Sequence, residues 1–260
     1  ENFKNKVYQD FNIDFDKSSI NSLLNILNLN YFTERKDGES VSVGESNNYE
    51  IVKLDNEEII IGNYLANALT DNQFSNFLTD SLNYSLQTFD VKLRKTDYLN
   101  GFLRYEKYTR RDIHKILNWP KEPNHLNIGG YKSSDDKENC PIFVTYKKSE
   151  DIADTIKYED EFINNLTLLW FSKQGRTLES NDVKEIKNSL ENNMRLPLFI
   201  KKDDSEGNDL YFMGNLTVDQ ETLEETFIED HKNNTKKQIV KMKMYLDKPI
   251  KEELYKYIKD

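Results

Sequence analysis

One cysteine, Cys140, in 260 residues excludes an internal disulfide and fits a reducing, cytoplasmic setting. Standing beside Pro141 at the entrance to a predicted strand, it reads as a small core residue. No apolar run approaches the twenty or so residues of a membrane span, and no stretch has the pattern of a signal peptide, so no membrane partner is expected. The chain lacks a GxxxxGK[ST] phosphate loop, which excludes a nucleotide-hydrolysing motor of that type within these residues. It also lacks HExxH, any Cys/His cluster for zinc, an HxK nuclease motif and GxSxG. Its three histidines, His114, His125 and His231, are scattered, and His114 sits on a predicted helix as a face residue. The first residue is Glu1 rather than Met, which reads as a piece of a longer polypeptide.

What is present is aromatic and charged. Fifteen Tyr and fourteen Phe bury enough area to offset chain entropy, so the chain is expected to fold. The net charge of -10 argues at first against a polyanionic partner. Its distribution reverses that for one region. Residues 1–97 carry nine Lys/Arg against sixteen Asp/Glu, whereas residues 98–148 carry ten against six. Screening makes distant charge matter little, so a local positive patch is sufficient for binding.

In chain order, residues 1–17 space aromatics for a short helix or arm. Ser18 or Ser19 is placed to cap a helix over 20–32 with Leu23, Leu24, Leu27 and Tyr31 on one face. A short strand follows at 49–54, and 57–69 mixes strand (IIIG) with helix (NYLANAL) patterns. Thr70 or Asp71 then caps a helix to about Phe89, with Phe74, Phe77, Leu78, Leu82 and Leu86 on one stripe. Residues 1–97 therefore read as a small helical domain for coupling or interaction. Near Asp97 the texture changes: Thr109 caps a helix that stops before Pro120. Strands are expected at 142–148, 166–173, 196–202, 210–218 and 238–246, with a short helix after Ser180 and a terminal helix at 249–259. The second domain, 98–260, is thus a mixed β-barrel, closed or nearly so, with flanking helices, and the fold class is α+β.

Within it, Gly129-Gly130-Tyr131-Lys132 presents an aromatic and a lysine on a flexible turn, a combination suited to stacking on a nucleotide. The following strand alternates Phe143 and Thr145 against Ile142, Val144 and Tyr146. Paired acids at Asp135-Asp136, Asp203-Asp204 and Glu224-Glu225 read as solvated charge. The Glu159-Asp160-Glu161 run precedes a strand and is the one acidic cluster a metal-dependent nuclease could use. No companion lysine pattern accompanies it.

Several phrases occur in an order that resembles a known family. They are Leu103-Arg104-Tyr105 with Tyr108-Thr109-Arg110-Arg111-Asp112, then Gly129-Gly130-Tyr131-Lys132 and Ile142 through Lys148. Tyr158-x-Asp160-x-Phe162, Leu169-Trp170-Phe171-Ser172-Lys173-Gln174, Leu198-Phe199-Ile200 and Tyr211-Phe212-Met213-Gly214 continue the series. This order, over about residues 98–220, resembles the C-terminal target-recognition domain of SauUSI-like type IV modification-dependent restriction enzymes. Those bacterial proteins join a phospholipase-D nuclease, a DEAD-box helicase and this region.

The resemblance implies recognition of double-stranded DNA containing 5-methylcytosine or 5-hydroxymethylcytosine, without catalysis in this fragment. ATP and magnesium would serve only the upstream helicase and nuclease parts of the same chain, so no cofactor or metal is expected here. The parent would be a bacterial cytoplasmic endonuclease, in one reading a homodimer. By analogy with SRA/PUA-like barrels the base would be flipped into a pocket. Tyr131 and Trp170 would stack on it, Asp160 would accept its exocyclic amine, and Ser172 and Gln174 would read its edge. Arg104, Lys107, Arg110, Arg111, Lys132, Lys147, Lys148, Lys173 and Arg176 would meet the phosphates. Arg110 and Arg111 oppose the dipole at a helix start, which points to a ligand as their purpose. For Trp170 a place in the core, and for Asp160 a helix cap, are the plainer readings. The main competing function is a protein–protein interaction or dimerisation module that reads no base; a metal-dependent nuclease using Asp160 ranks third.

Overall fold

Asp16 opens the first long helix because its carboxylate accepts the Ser19 amide at 2.7 Å, a bond that also holds the Asp16 carboxyl below its ordinary pKa. The cap thus lies two residues before Ser18 and three before Ser19, with Ser19 as the donor. The computed structural model describes residues 3–11, 16–56, 58–93, 97–124, 128–147, 160–230 and 235–260. The chain divides into two units: Glu1–Asp97 with Arg111–Pro123, and Tyr98–Arg110 with Asn124–Asp260. The chain returns to the first unit at residues 111–123.

The first unit holds α1 (Phe3–Phe11), α2 (Lys17–Leu27), α3 (Val43–Asn47), α4 (Asn63–Ala68) and α5 (Asn72–Thr88). It is not purely helical. Strands β1 (Thr33–Lys36) and β2 (Glu39–Ser42) form one hairpin, and β3 (Val52–Asp55) and β4 (Glu58–Ile61) another. Asp37 and Gly38 both take positive φ at the first turn, as a two-residue hairpin requires. Asn28 ties the second hairpin to the end of α2: its Oδ1 accepts the Ile51 and Val52 amides, and its Nδ2 donates to the Val52 carbonyl. Asp71 caps α5 by accepting the Phe74 amide at 3.0 Å. That helix buries no residue; Phe77 is 64% and Leu82 56% exposed.

The second unit starts with β5 (Tyr98–Leu99), β6 (Phe102–Leu103) and β7 (Lys107–Thr109), and its last residue before the excursion, Arg110, opens α6 (Arg110–Ile116). Then come β8 (Ile142–Thr145), β9 (Glu161–Phe162), β10 (Thr167–Phe171), α7 (Asn181–Lys187), β11 (Pro197–Lys201), β12 (Asp209–Val218), β13 (Glu224–Asp230), β14 (Thr235–Leu246) and α8 (Glu252–Lys259). The sheet runs β8-β11-β12-β14-β10-β9, with β13 on β14 and β7 on β12; β8 and β11 are parallel, the other pairs antiparallel.

The expected barrel is corrected on one point: among the described residues the sheet is open, since β8 and β9 are not paired as strands. Side chains bridge them instead. Tyr146, just beyond β8, stacks on Phe162 of β9 with ring centroids 5.8 Å apart, and Tyr131, bridged to Ile142, meets Trp170 of β10 edge-on at 5.0 Å. The sheet therefore curls until its edges touch through aromatic rings. Between them lies a core that includes Val144, Leu168, Trp170, Leu198, Met213, Val240 and Met242. The alternation of β14 follows expectation, with Val240, Met242, Met244 and Leu246 buried. β8 departs from it: Phe143 is buried too, because the strand's other face packs on Phe199, which adjoins Phe102 and Phe212.

Arg104 is structural. Its guanidinium makes two bonds to Asp247, at 3.0 and 2.8 Å, and a third to the Met213 carbonyl, with its side chain 1% exposed. Gly214 is positioned against this pair at φ 128°, where any Cβ would overlap both Arg104 and Asp247. This corrects the phosphate role expected of Arg104, because the side chain faces inward and is committed to Asp247.

Candidate nucleic-acid interface

Backbone carbonyls need donors, and those of the Gly-Gly-Tyr turn find three on separate elements. The Gly129 carbonyl accepts from Arg110 Nη1 at 3.0 Å, that of Gly130 from the Phe143 amide at 2.7 Å, and that of Tyr131 from Lys173 Nζ at 2.6 Å. Gly129 supplies the positive φ, and a Cβ there would press on Lys173 at 3.3 Å. Arg110 lies 4.3 Å over the Phe143 ring and Lys173 4.4 Å over the Tyr131 ring. Burial lowers the pKa of both cations.

Sequence reasoning missed the residue that joins the rest. Asp182, in the first turn of α7, accepts the Tyr131 hydroxyl at 3.0 Å and Arg176 Nε at 2.7 Å on the same oxygen, while its other oxygen accepts the Val183 amide at 3.1 Å. Burial alone would raise its pKa, but the bonds from Arg176 and Tyr131 outweigh it and hold the carboxyl below the ordinary value. Tyr131 shifts upward, chiefly by burial and then by the Asp182 charge. A carboxylate six residues beyond Arg176 in a short amphipathic helix was the one signal available.

The structure brings together Arg110, Tyr131, Trp170, Lys173 and Arg176 from the expected set, with exposed Lys132 next to Tyr131. Tyr131 is not the exposed aromatic that its Gly-Gly context suggested. It is 2% exposed because its bridge to Ile142 turns the ring onto Trp170, itself a core residue. Ser172 is buried and braces the β10–β14 edge, accepting the Val240 amide and donating to the Lys173 carbonyl. Asp160 caps no helix; it accepts the Phe171 amide at 2.9 Å where β9 meets β10. Gln174 is half-buried in the turn after β10, where the Gly175 amide bonds the Gln238 carbonyl.

Other expected cations have different partners. Lys107 pairs with Glu206 at 2.9 Å and covers the Tyr211 ring, and Lys147 donates to the Asp260 backbone carbonyl. Arg111 belongs to the first unit, where it pairs with Glu122 at 2.7 Å. At the start of α6, Arg110 thus bonds the Gly129 carbonyl and Arg111 pairs with Glu122. Lys148 and Glu159 lie outside the described residues. Among the described residues no group of three or more His, Cys, Asp or Glu could hold a metal ion. Cys140 is buried, which pushes its thiol up to about 12.

No curated protein sequence matches this chain. Several solved structures show distant likeness. The sulfur-binding and SRA domains of ScoMcrA complexed with phosphorothioated DNA share 8% identity at a TM-score of 0.37, covering 61% of this chain and 45% of that one. The DNA modification-dependent restriction endonuclease AspBHI shares 12% at 0.38, covering 62% and 84%. MspJI restriction endonuclease in complex with a 27-mer oligonucleotide shares 14% at 0.38, covering 57% and 38%. This chain thus spans less than half the length of the ScoMcrA and MspJI chains. The model of DUF3427, a domain of unknown function, matches residues 102–258, and the chain belongs to that family.

Proposed function

We propose that the second unit binds duplex DNA and recognises modified cytosine, as the target-recognition part of a type IV restriction enzyme. One observation carries the reading. In a chain of net charge -10, Arg110, Lys132, Lys173 and Arg176 gather about one Gly-Gly-Tyr turn, with Asp182 bonded to Arg176 and to the Tyr131 hydroxyl. Such a patch suits phosphodiester contacts. The ordered motifs, from Leu103-Arg104-Tyr105 to Tyr211-Phe212-Met213-Gly214, support modified cytosine, methyl or hydroxymethyl, as the target.

In this reading the base is flipped toward the curled sheet. A base stacking on Tyr131 takes the place that the Lys173 ammonium now holds over the ring, so the lysine moves to a phosphate as the base enters. Trp170 backs Tyr131, Asp160 accepts the exocyclic amine, and Ser172 and Gln174 shape the base edge. ATP and magnesium chemistry belongs to upstream helicase and nuclease parts of a parent chain.

Fluorescence anisotropy of the whole chain with one duplex, carrying 5-methylcytosine or not, at two salt concentrations, tests this. The expected result is salt-sensitive binding with a clear preference for the methylated duplex. Equal affinity for both removes the base pocket from the reading, and absence of binding removes DNA recognition altogether.

A second reading, an interaction module, is favoured for residues 1–97 by the exposed Phe74, Phe77, Leu82 and Leu86 of α5. A mass that rises with concentration in the absence of DNA would support it.

A further inference from the structure

Resting on the DNA-binding reading, we propose that Asp182 is an internal stand-in for a DNA phosphate, holding Arg176 until a phosphodiester takes its place. Arg176 gives Asp182 its Nε at 2.7 Å, and both side chains stay open to solvent, 37% and 27% exposed. A guanidinium has five donors and suits bidentate recognition of an oxyanion, so the Nε bond to Asp182 and the contact with the Tyr131 hydroxyl leave further donors for another anion. The carboxylate keeps the Tyr131 hydroxyl and the Val183 amide when the arginine leaves, so the exchange strands no buried group. Lys173 lies on the same chain of contacts, because its amide donates to the Tyr131 hydroxyl at 3.4 Å and its ammonium to the Tyr131 carbonyl. The other α7 acid with an ion pair, Glu185, is occupied by Lys137 at 2.7 Å. Asp182 is therefore the carboxylate that competes with DNA for Arg176. Its charge weakens binding to any duplex, so that backbone attraction alone does not fill the site.

The test is a salt titration of anisotropy with an unmodified 20-base-pair duplex, using the full 260-residue chain. Asp182→Asn is expected to bind several-fold more tightly than wild type at low salt. Because Arg176 already reaches a phosphate in the wild-type complex, the slope of log K against log salt should stay the same. Arg176→Gln should make that slope shallower by about 0.9, the loss of one phosphate contact. The double variant should behave as Arg176→Gln, losing most of the gain. A slope unchanged in Arg176→Gln, or weaker binding by a folded Asp182→Asn, would overturn the proposal and leave Asp182 a positioning residue. If the amide variant does not fold, Asp182→Ser takes its place in the affinity comparison, and an unchanged slope in Arg176→Gln still overturns the proposal, since an arginine locked on Asp182 contributes nothing to the slope. Failure of the wild-type chain to bind any duplex would instead defeat the DNA reading itself.

Discussion

Two arginines of the second unit each meet an aspartate, and the two pairs do different work. Arg104 engages Asp247 through two nitrogens, adds the Met213 carbonyl, and is shut from solvent by its neighbours. Arg176 engages Asp182 through Nε and stays more than a third exposed. In the first pair the donors are consumed, and the product is a clamp between the β6 end, β12 and the segment after β14. In the second the carboxylate is shared with Tyr131, and cations outnumber it. Commitment of donors, more than charge or residue type, separates an arginine that holds the fold from one that can hold a ligand.

The comparison can be broken most severely at Gly214. Gly214→Ala places a methyl group against both Arg104 and Asp247 at a φ that alanine tolerates poorly. A loss of about 4 kcal/mol is expected, combining backbone strain with the disrupted pair. Arg104→Ala should cost somewhat less, about 3 kcal/mol, because it leaves Asp247 without its cation but a third exposed to water. Urea unfolding measures both, and a change below about 1 kcal/mol in either would show that the clamp is not needed, given that exposed pairs contribute no more than that. Arg176→Ala sharpens the contrast from the other side. Its effect on unfolding should stay within about 1 kcal/mol, as for exposed pairs, while its effect on DNA affinity should be clear. If Arg104→Ala and Arg176→Ala shift stability equally, the distinction drawn from donor commitment fails.

The two arginines could not have been told apart in the sequence. Asp247 is 143 residues from Arg104, and the glycine that admits the pair lies on a different strand again. What local pattern encodes was legible: the inward methionines of β14 and the Asp71 cap of α5. Period-2 and period-3.6 patterns report which face is apolar, and that is a local property. Tyr131 shows the limit. A Gly-Gly pair reports a permissive backbone, but which way the next side chain turns was decided by a bridge to Ile142 eleven residues on. The open sheet was illegible for a similar reason, since the strands give no sign that its edges meet through Tyr146 on Phe162 and Tyr131 on Trp170. Asp182 escaped notice because its neighbours Tyr131 and Arg176 come from separate loops.

The smallest expected effect is one of pH, and it addresses the shared carboxylate directly. The groups facing Asp182 are Arg176 and Tyr131, with Lys173 behind the tyrosine. Their bonds outweigh burial and lower its pKa in the folded chain. A carboxyl with a depressed folded pKa contributes stability that is present above its unfolded value, about 3.9 for aspartate, and lost as pH falls through the folded value. Glu206, also depressed despite burial because the Lys202 amide, Lys107 and Tyr257 donate to it, contributes in the same direction over neighbouring pH values. The wild-type chain should therefore melt progressively earlier below about pH 4, near the unfolded aspartate value. Asp182→Asn should melt somewhat earlier than wild type at pH 6, with the gap closing as pH falls to about 2.5, below the unfolded carboxylate values. A gap that stays constant over that range would mean that the folded chain does not favour the ionised carboxylate, the bonds from Arg176, Tyr131 and the Val183 amide doing no more than offset its burial.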